Sequence, residues 1–401
     1  AALLACFMGM CWVSSMFLNS IAVTLVMTPF AIGLLNAAEE QVRDADAAEA
    51  AEAGSTDSND TCRRSMKDVQ SLSSAVFLGI AFSATCGGIA TLTGAIPHYF
   101  LAGESIVATH VTWSKWFVFA LPLSLVSVVF AFSALCLRYI RSLKFKGISR
   151  DAVEAEYNEL LAEVGPFSRD ELLVALVQIT QIVLLIIRPF AISPFIQTKF
   201  HDNLVNDATL ACAPALLLFF LPSQVRPGQA ILAWPVVHEK FDFGLLLLIG
   251  GSLAINSGFT QSGLDIAMGS AFAQLVPHLP TFVLNLAIVA CVTLSVQIFS
   301  GIGIAAALLP VISSASLEAV VNPLLLLLPA TIASSFAFLF PTATPSNVVV
   351  LAKSQDLARS LRFRDFFLNG LPITVVIIIV GALLTDIMGS LVFDSHSPFP
   401  K

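Results

Sequence analysis

Phe299-Ser300-Gly301-Ile302-Gly303-Ile304-Ala305-Ala306, closing at Leu309-Pro310, is the stretch on which the fold turns. It interrupts an apolar run over 281–312 with a hydroxyl and two glycines, residues that weaken a helix between apolar arms. An earlier run, Phe17-Leu18-Asn19-Ser20-Ile21-Ala22-Val23-Thr24, closing at Met27-Thr28-Pro29, has the same order: polar interruption, apolar helix, proline. A second break follows each. In the first half it is Gly87-Gly88-Ile89-Ala90-Thr91-Leu92-Thr93-Gly94-Ala95-Ile96-Pro97, and in the second Phe340-Pro341-Thr342-Ala343-Thr344-Pro345-Ser346-Asn347. Corresponding interruptions in two halves of an apolar chain point to a secondary transporter built from internal repeats, with sites near the bilayer midplane between them.

The rest of the chain fits a membrane solvent. Its 401 residues are 57% hydrophobic and 12% charged, about half the charged share of an ordinary soluble domain. Mean hydropathy is +0.86. A net charge of −7 leaves no basic surface for phosphates, which argues against a nucleic-acid partner. Seven cysteines (Cys6, Cys11, Cys62, Cys86, Cys136, Cys212, Cys291) lie far apart without metal-ligand spacing and read as packing residues. The opening run from Ala1 lacks the features of a signal peptide, so the chain is expected to begin inside a longer protein.

Apolar stretches able to cross a bilayer, or to enter and return, cover 1–36, 71–102, 113–137, 171–190, 207–221, 243–264, 281–312, 323–352 and 367–393. Two polar linkers separate them. The acidic tract 37–70 (beginning AAEEQVRDADAAEAAEAGSTDSND) is charged and free of aromatics and is expected to be disordered; its sequon Asn59-Asp60-Thr61 is a chance match. The linker 138–170 carries Arg138, Arg141, Lys144 and Lys146, and a second basic group, Lys353, Arg359, Arg362 and Arg364, follows 323–352. Both groups mark the cytoplasmic side. Single crossings at 171–190, 207–221 and 243–264 then put 265–280 outside, and the basic group at 353–364 stays inside only if 281–312 enters and turns back. A re-entrant hairpin requires an internal cavity or protein to satisfy its peptide groups. Residues 1–137 thus form a first half (hairpin 1–36, broken helix 71–102) and 171–393 a second (hairpin 281–312, broken helix 323–352), within one polytopic domain.

The breaks contain Ser, Thr, Asn, Gly and Pro, with no carboxylate or thiol cluster and no nucleophile–base pair, so an enzyme is not expected. Carbonyls and hydroxyls suit a hard monovalent cation, whereas half-helix N-termini suit an anion; together they imply cation–anion symport. Proton coupling would call for acidic residues or histidine deep in the spans. Asp386, near the outer end of the last span, His98, just past a proline, and Arg188, which snorkels to the interface, read as structural.

At these residues the sequence resembles the divalent anion/sodium symporter family of sodium-coupled dicarboxylate, citrate and sulfate carriers. The resemblance rests on GGIATLTGAIP, LLLLIGGSLAINSGFTQSGL, SSFAFLFPTATPSNVVV, TWSKWFVFALPL and the EYNELL and GPFSRDE segments, in order along nearly the whole chain. It implies an all-α integral membrane protein, an inverted-repeat elevator-type transporter with two re-entrant helical hairpins and two broken transmembrane helices. It further implies a homodimer in the lipid bilayer, at the plasma membrane, with sodium as coupling ion, no other metal or cofactor, and a di- or tricarboxylate or sulfate as substrate. By position, Ser15, Asn19, Ser20 and Gly94 correspond to one sodium site, and Ser300, Gly301 and Ala343 to the other. Ser20, Ile21, Gly301, Ile302, Thr344 and Pro345 correspond to the anion site, and Thr91, Thr93, Thr342 and Asn347 to supporting positions.

The departures are specific. The family's tips read Ser-Asn-Thr or Ser-Asn-Val, whereas this chain has Asn19-Ser20-Ile21 and Ser300-Gly301-Ile302, and His98 stands where the family has Asn. Loss of both tip amides is expected to weaken anion and sodium binding, leaving an uncoupled anion pathway or a transport-deficient homologue as the alternative. Restoring Asn at 20 and 301 is expected to raise sodium-dependent flux. The family's helices preceding the first hairpin are absent from this sequence.

Overall fold

The computed structural model describes residues 1–53, 57–104, 106–107, 110–141, 162, 165, 167–188, 207–240, 243–264, 267, 270, 279–356 and 360–397. Among these the regular structure is helical, apart from one isolated antiparallel bridge between Pro222 and Ala230. In chain order the helices are α1 (Ala2–Phe17), α2 (Ser20–Ala53), α3 (Asp57–Ile89), α4 (Pro97–Gly103), α5 (Trp113–Leu135), α6 (Arg169–Ile187), α7 (Asp207–Leu217), α8 (Trp234–Lys240), α9 (Phe243–Ser262), α10 (Thr281–Ile298), α11 (Gly301–Glu318), α12 (Pro323–Ala333), α13 (Pro345–Lys353) and α14 (Phe363–Phe393). Seven segments of the described residues are long and apolar enough to cross a membrane: Ser20–Glu40, Met66–Ile89, Trp113–Ile140, Arg169–Ile187, Thr281–Ile298, Gly301–Glu318 and Phe363–Phe393.

The larger unit takes in Ala1–Val111, Lys115–Leu160 and Ser252–Lys401. Its centre is α3, buried at every position from Leu72 through Ile89. A helix apolar all round has no solvent face, and α3 is accordingly enclosed by α1 and α2. In the second half α10 packs on α12 and α14, and α11 packs on α12, which is itself almost wholly buried. The halves interlock through short helices: α4 of the first lies against α11 and α12, while α13 of the second lies against α2 and α3.

The smaller unit comprises Thr112–Ser114 and Leu161–Gly251. There α6 packs on α7. A capping box starts α6: the Ser168 amide donates to Glu171 Oε2 (2.9 Å) and the Glu171 amide donates to Ser168 Oγ (3.2 Å). Asp170 pins the loop after α7, accepting from Ser223 Oγ at 2.5 Å and the Gln224 amide at 3.0 Å. Leu172, Leu176, Ile179 and Val183 of α6 are exposed, a face suited to lipid.

One expectation is overturned. The acidic tract 37–70 is helical in its backbone to Ala53 and again from Asp57, with 54–56 outside the described residues. Ala, Glu and Gln are strong helix formers, and a composition that cannot build a core can still continue a helix begun in the membrane. The acidic stretch within 138–170 lies outside the described residues. The described cysteines are free thiols, with Cys11 and Cys86 buried.

Candidate functional site

Two helix junctions and two breaks of turns and irregular chain build the site. At the first junction α1 stops at Phe17, Leu18 is extended, and Asn19 Oδ1 accepts the Ile21 amide at 2.9 Å, so Asn19 is exposed and occupied in starting α2. Ser20 and Ile21 are half-buried in the first turn. At the second junction α10 ends at Ile298, Phe299 is extended, and Ser300 precedes α11 without a side-chain capping bond. Ser300 is exposed, and Gly301 and Ile302 are half-buried.

The first break runs from Ala90 to Ile96, between α3 and α4. Ser15, fully buried, donates its hydroxyl to the Ala84 carbonyl at 2.6 Å. The Thr91 hydroxyl donates to the Met16 carbonyl and lies 3.4 Å from Thr93 Oγ1. Gly94 presses on α3 so closely that a Cβ would collide with the Gly88 carbonyl oxygen, and only glycine fits.

The second break runs from Ser334 to Thr344, between α12 and α13, with a short 3₁₀ turn at Pro341–Ala343. Ala343 is buried, while Thr342 and Pro345 are exposed. Thr344 Oγ1 accepts the Asn347 amide at 3.4 Å, capping α13. Asn347 Nδ2 donates to the carbonyls of Ala337 (3.3 Å) and Phe340 (3.1 Å), folding the break onto α13. Asn347 Oδ1 and the neighbouring Ser346 Oγ are buried without a partner.

These four places touch in series. Met16, next to the first junction, accepts from Thr91 in the first break. His98 bridges to the second break, with Nδ1 3.0 Å from the Thr91 carbonyl and Nε2 3.2 Å from Ser335 Oγ. Ser334, in turn, sits so close to Gly301 that a Cβ there would collide with its carbonyl oxygen. The second break is held to α10 by Gln297, whose Nε2 donates to the carbonyls of Thr293 (2.8 Å) and Phe336 (2.5 Å) and whose Oε1 accepts the Leu339 amide (2.9 Å). Met16 and Gln297 hold equivalent places, each four residues before the start of the next helix.

Electrostatically the site is bare. Residues 15–21, 87–98, 297–303 and 334–347 contain no Asp, Glu, Lys or Arg. Its polarity is that of peptide groups: the N-termini of α2, α11 and α13 present amides, and unwound carbonyls present oxygens. Among the described residues no group of three or more His, Cys, Asp or Glu side chains gathers to hold a metal.

Sequence reasoning passed over Gln297, Ser335 and Ser346, and read His98 as structural. A lone amide or imidazole in an apolar run beside a break was the available signal. Asp386 lies in α14, where its Oδ1 accepts Asn285 Nδ2 (2.9 Å) and meets His396 Nε2 (3.1 Å), away from the breaks.

Asn347 yields a direct prediction. Asn347→Ala strips the buried Ala337 carbonyl of its donor, at about 1–3 kcal/mol, whereas the half-buried Phe340 carbonyl keeps the Ala343 amide. A lowered unfolding temperature of the detergent-purified protein is expected; an unchanged one contradicts the role assigned to this amide.

Comparison with known proteins identifies the lineage. Residues 56–394 match the family described as "Sodium:sulfate symporter transmembrane region". The chain is 28% identical to the sodium-dependent low-affinity dicarboxylate transporter 1 of Caenorhabditis elegans, over 100% of this chain and 73% of that protein. It is 26% identical to the sodium-dependent dicarboxylate transporter SdcS of Staphylococcus saprophyticus and 25% identical to SdcS of Staphylococcus aureus, in each case over 96% of this chain and 69% of the relative. Its apolar helices, its uncharged breaks and a match over most of its length lead to one conclusion: the chain belongs to the sodium:sulfate symporter family of multi-pass membrane transporters, not to an enzyme family.

Proposed function

We propose that this protein carries out sodium-coupled symport of a di- or tricarboxylate of the succinate or citrate class, with sulfate as the nearest alternative substrate. The observation that carries the reading is the absence of charged side chains from four interruptions that contact one another in series. A dianion entering such a site loses its hydration and meets no cationic side chain, so its charge has to be balanced by ions that enter with it. Relatives named as sodium-dependent dicarboxylate transporters support sodium and a carboxylate as the pair.

On this reading Ser15, Asn19, Ser20 and Gly94 serve one sodium, and Ser300, Gly301 and Ala343 the other. The anion lies at Thr344 and Pro345, facing Ser20, Ile21, Gly301 and Ile302, with Thr91, Thr93, Thr342 and Asn347 shaping the loops. Helix pairs α1–α2 and α10–α11 act as re-entrant hairpins, and the domain bearing them moves as a rigid body in an elevator cycle. The protein works as a homodimer in the plasma membrane.

The test is uptake of labelled succinate, citrate and sulfate by the full-length protein in proteoliposomes, with sodium replaced by choline. Removal of sodium is expected to cut flux about tenfold or more, equivalent to roughly 1.4 kcal/mol of coupling. Flux indifferent to sodium overturns symport in favour of an uncoupled anion pathway, which Ser20 and Gly301 in place of the family's amides would then explain.

A further inference from the structure

We propose that His98 is a positioning residue that couples the two cation sites, acting as a strut between the first break and the second. The inference deepens the functional reading above and rests on it. His98 is fully buried at the start of α4. One ring nitrogen faces the Thr91 carbonyl, which can only accept, so Nδ1 carries the proton; in the neutral ring Nε2 then accepts from the Ser335 hydroxyl. Both nitrogens are therefore used, one by each half of the molecule. Trp116 clamps the ring, with centroids 4.6 Å apart, and its own Nε1 donates to the Ile89 carbonyl at the foot of the first break (3.3 Å). The imidazole is held on three sides and has little room to re-aim.

What makes the strut more than packing is what lies at its ends. Thr91 is bound through its hydroxyl to Met16, in the last turn of the helix leading into Asn19 and Ser20. Ser335 adjoins Ser334, whose carbonyl bears on Gly301. A displacement at one junction thus reaches the other through Met16, Thr91, His98, Ser335, Ser334 and Gly301, a path of short contacts in which the imidazole is the one side chain spanning from half to half. Occupancy of one sodium site, by fixing its junction, then favours the arrangement that the second sodium requires. The bond between His98 and Ser335 carries that coupling.

The test uses the full-length protein, with sodium activation of uptake and sodium-dependent thermal stabilisation measured for His98→Asn, Ser335→Ala and the double variant. Asn at 98 keeps a donor for the Thr91 carbonyl but is too short to reach Ser335, so His98→Asn and Ser335→Ala remove the same bond. Each is expected to raise the half-saturating sodium concentration about fivefold and to flatten the activation curve, with maximal rate changing less than half-saturation. The double variant is expected to go no further than either single one. Unchanged half-saturation and slope in the single variants, or an additive double variant, overturns the strut. If His98→Asn does not reach the membrane, Ser335→Ala, which removes one hydroxyl, decides the matter alone. A parent protein showing no sodium dependence overturns the functional reading and the coupling together, whereas a sodium-dependent parent with insensitive variants overturns only the coupling.

Discussion

Gly301→Asn is expected to lose transport, although it restores the amide that the family's tip motif contains. The Gly301 Cα faces the Ser334 carbonyl so closely that any Cβ overlaps that oxygen. Ser334 cannot retreat easily, because its own amide donates to Ala330 at the end of α12 and its hydroxyl donates to the Thr331 carbonyl at 2.5 Å. Relief must come from moving the start of α11 or the end of α12, and such overpacking costs about 1–3 kcal/mol, enough to reduce flux about tenfold. Gly301→Ala is expected to fall nearly as far, since the first added carbon makes the collision. Ser20→Asn differs: Ser20 is half-exposed in the first turn of α2 and has room for a longer side chain. Sodium-dependent uptake normalised to surface expression checks all three. A gain for Gly301→Asn would mean that the two junctions accept the same chemistry, as the sequence motif alone implies.

That contrast marks how far the sequence can be read. The junctions at Asn19-Ser20 and Ser300-Gly301 were legible because polar residues and glycine interrupt apolar runs, and the first break because GGIATLTGAIP can continue neither helix nor strand for long. What Gly301 touches was not legible, since the Ser334 carbonyl lies thirty-three residues away and belongs to a helix end that composition does not locate. The acidic tract misled for a different reason: charge and the lack of aromatics predict the absence of a core, and say little about whether an Ala- and Glu-rich chain extends an existing helix. His98 and Gln297 were ambiguous in principle. A buried polar side chain in a membrane segment looks the same in sequence whether it waits for a ligand or is already satisfied by backbone from elsewhere in the chain.

Gln297 is the satisfied kind, and its removal is expected to be the most damaging single change in the second half. An amide offers two donors and an acceptor, and all three are engaged, on Thr293, Phe336 and Leu339. Phe336 and Leu339 lie in chain that has left α12 and not yet reached α13, and Gln297 is the partner of the Phe336 carbonyl and the Leu339 amide there. Gln297 is itself buried, so its removal leaves these groups away from bulk water. Gln297→Leu therefore orphans the Phe336 carbonyl and the Leu339 amide at about 1–3 kcal/mol each, roughly 2–6 kcal/mol together, a large part of a typical protein's net stability. The break is expected to slacken before the bundle unfolds, because Asn347 still holds its far end at Ala337 and Phe340. Substrate half-saturation should accordingly rise along with the loss of thermal stability. Gln297→Glu keeps the acceptor for Leu339 and should fall between Leu and the parent, which separates the loss of hydrogen bonds from the loss of side-chain volume. Equal behaviour of the Leu and Glu variants in melting and uptake would show that Gln297 only fills space.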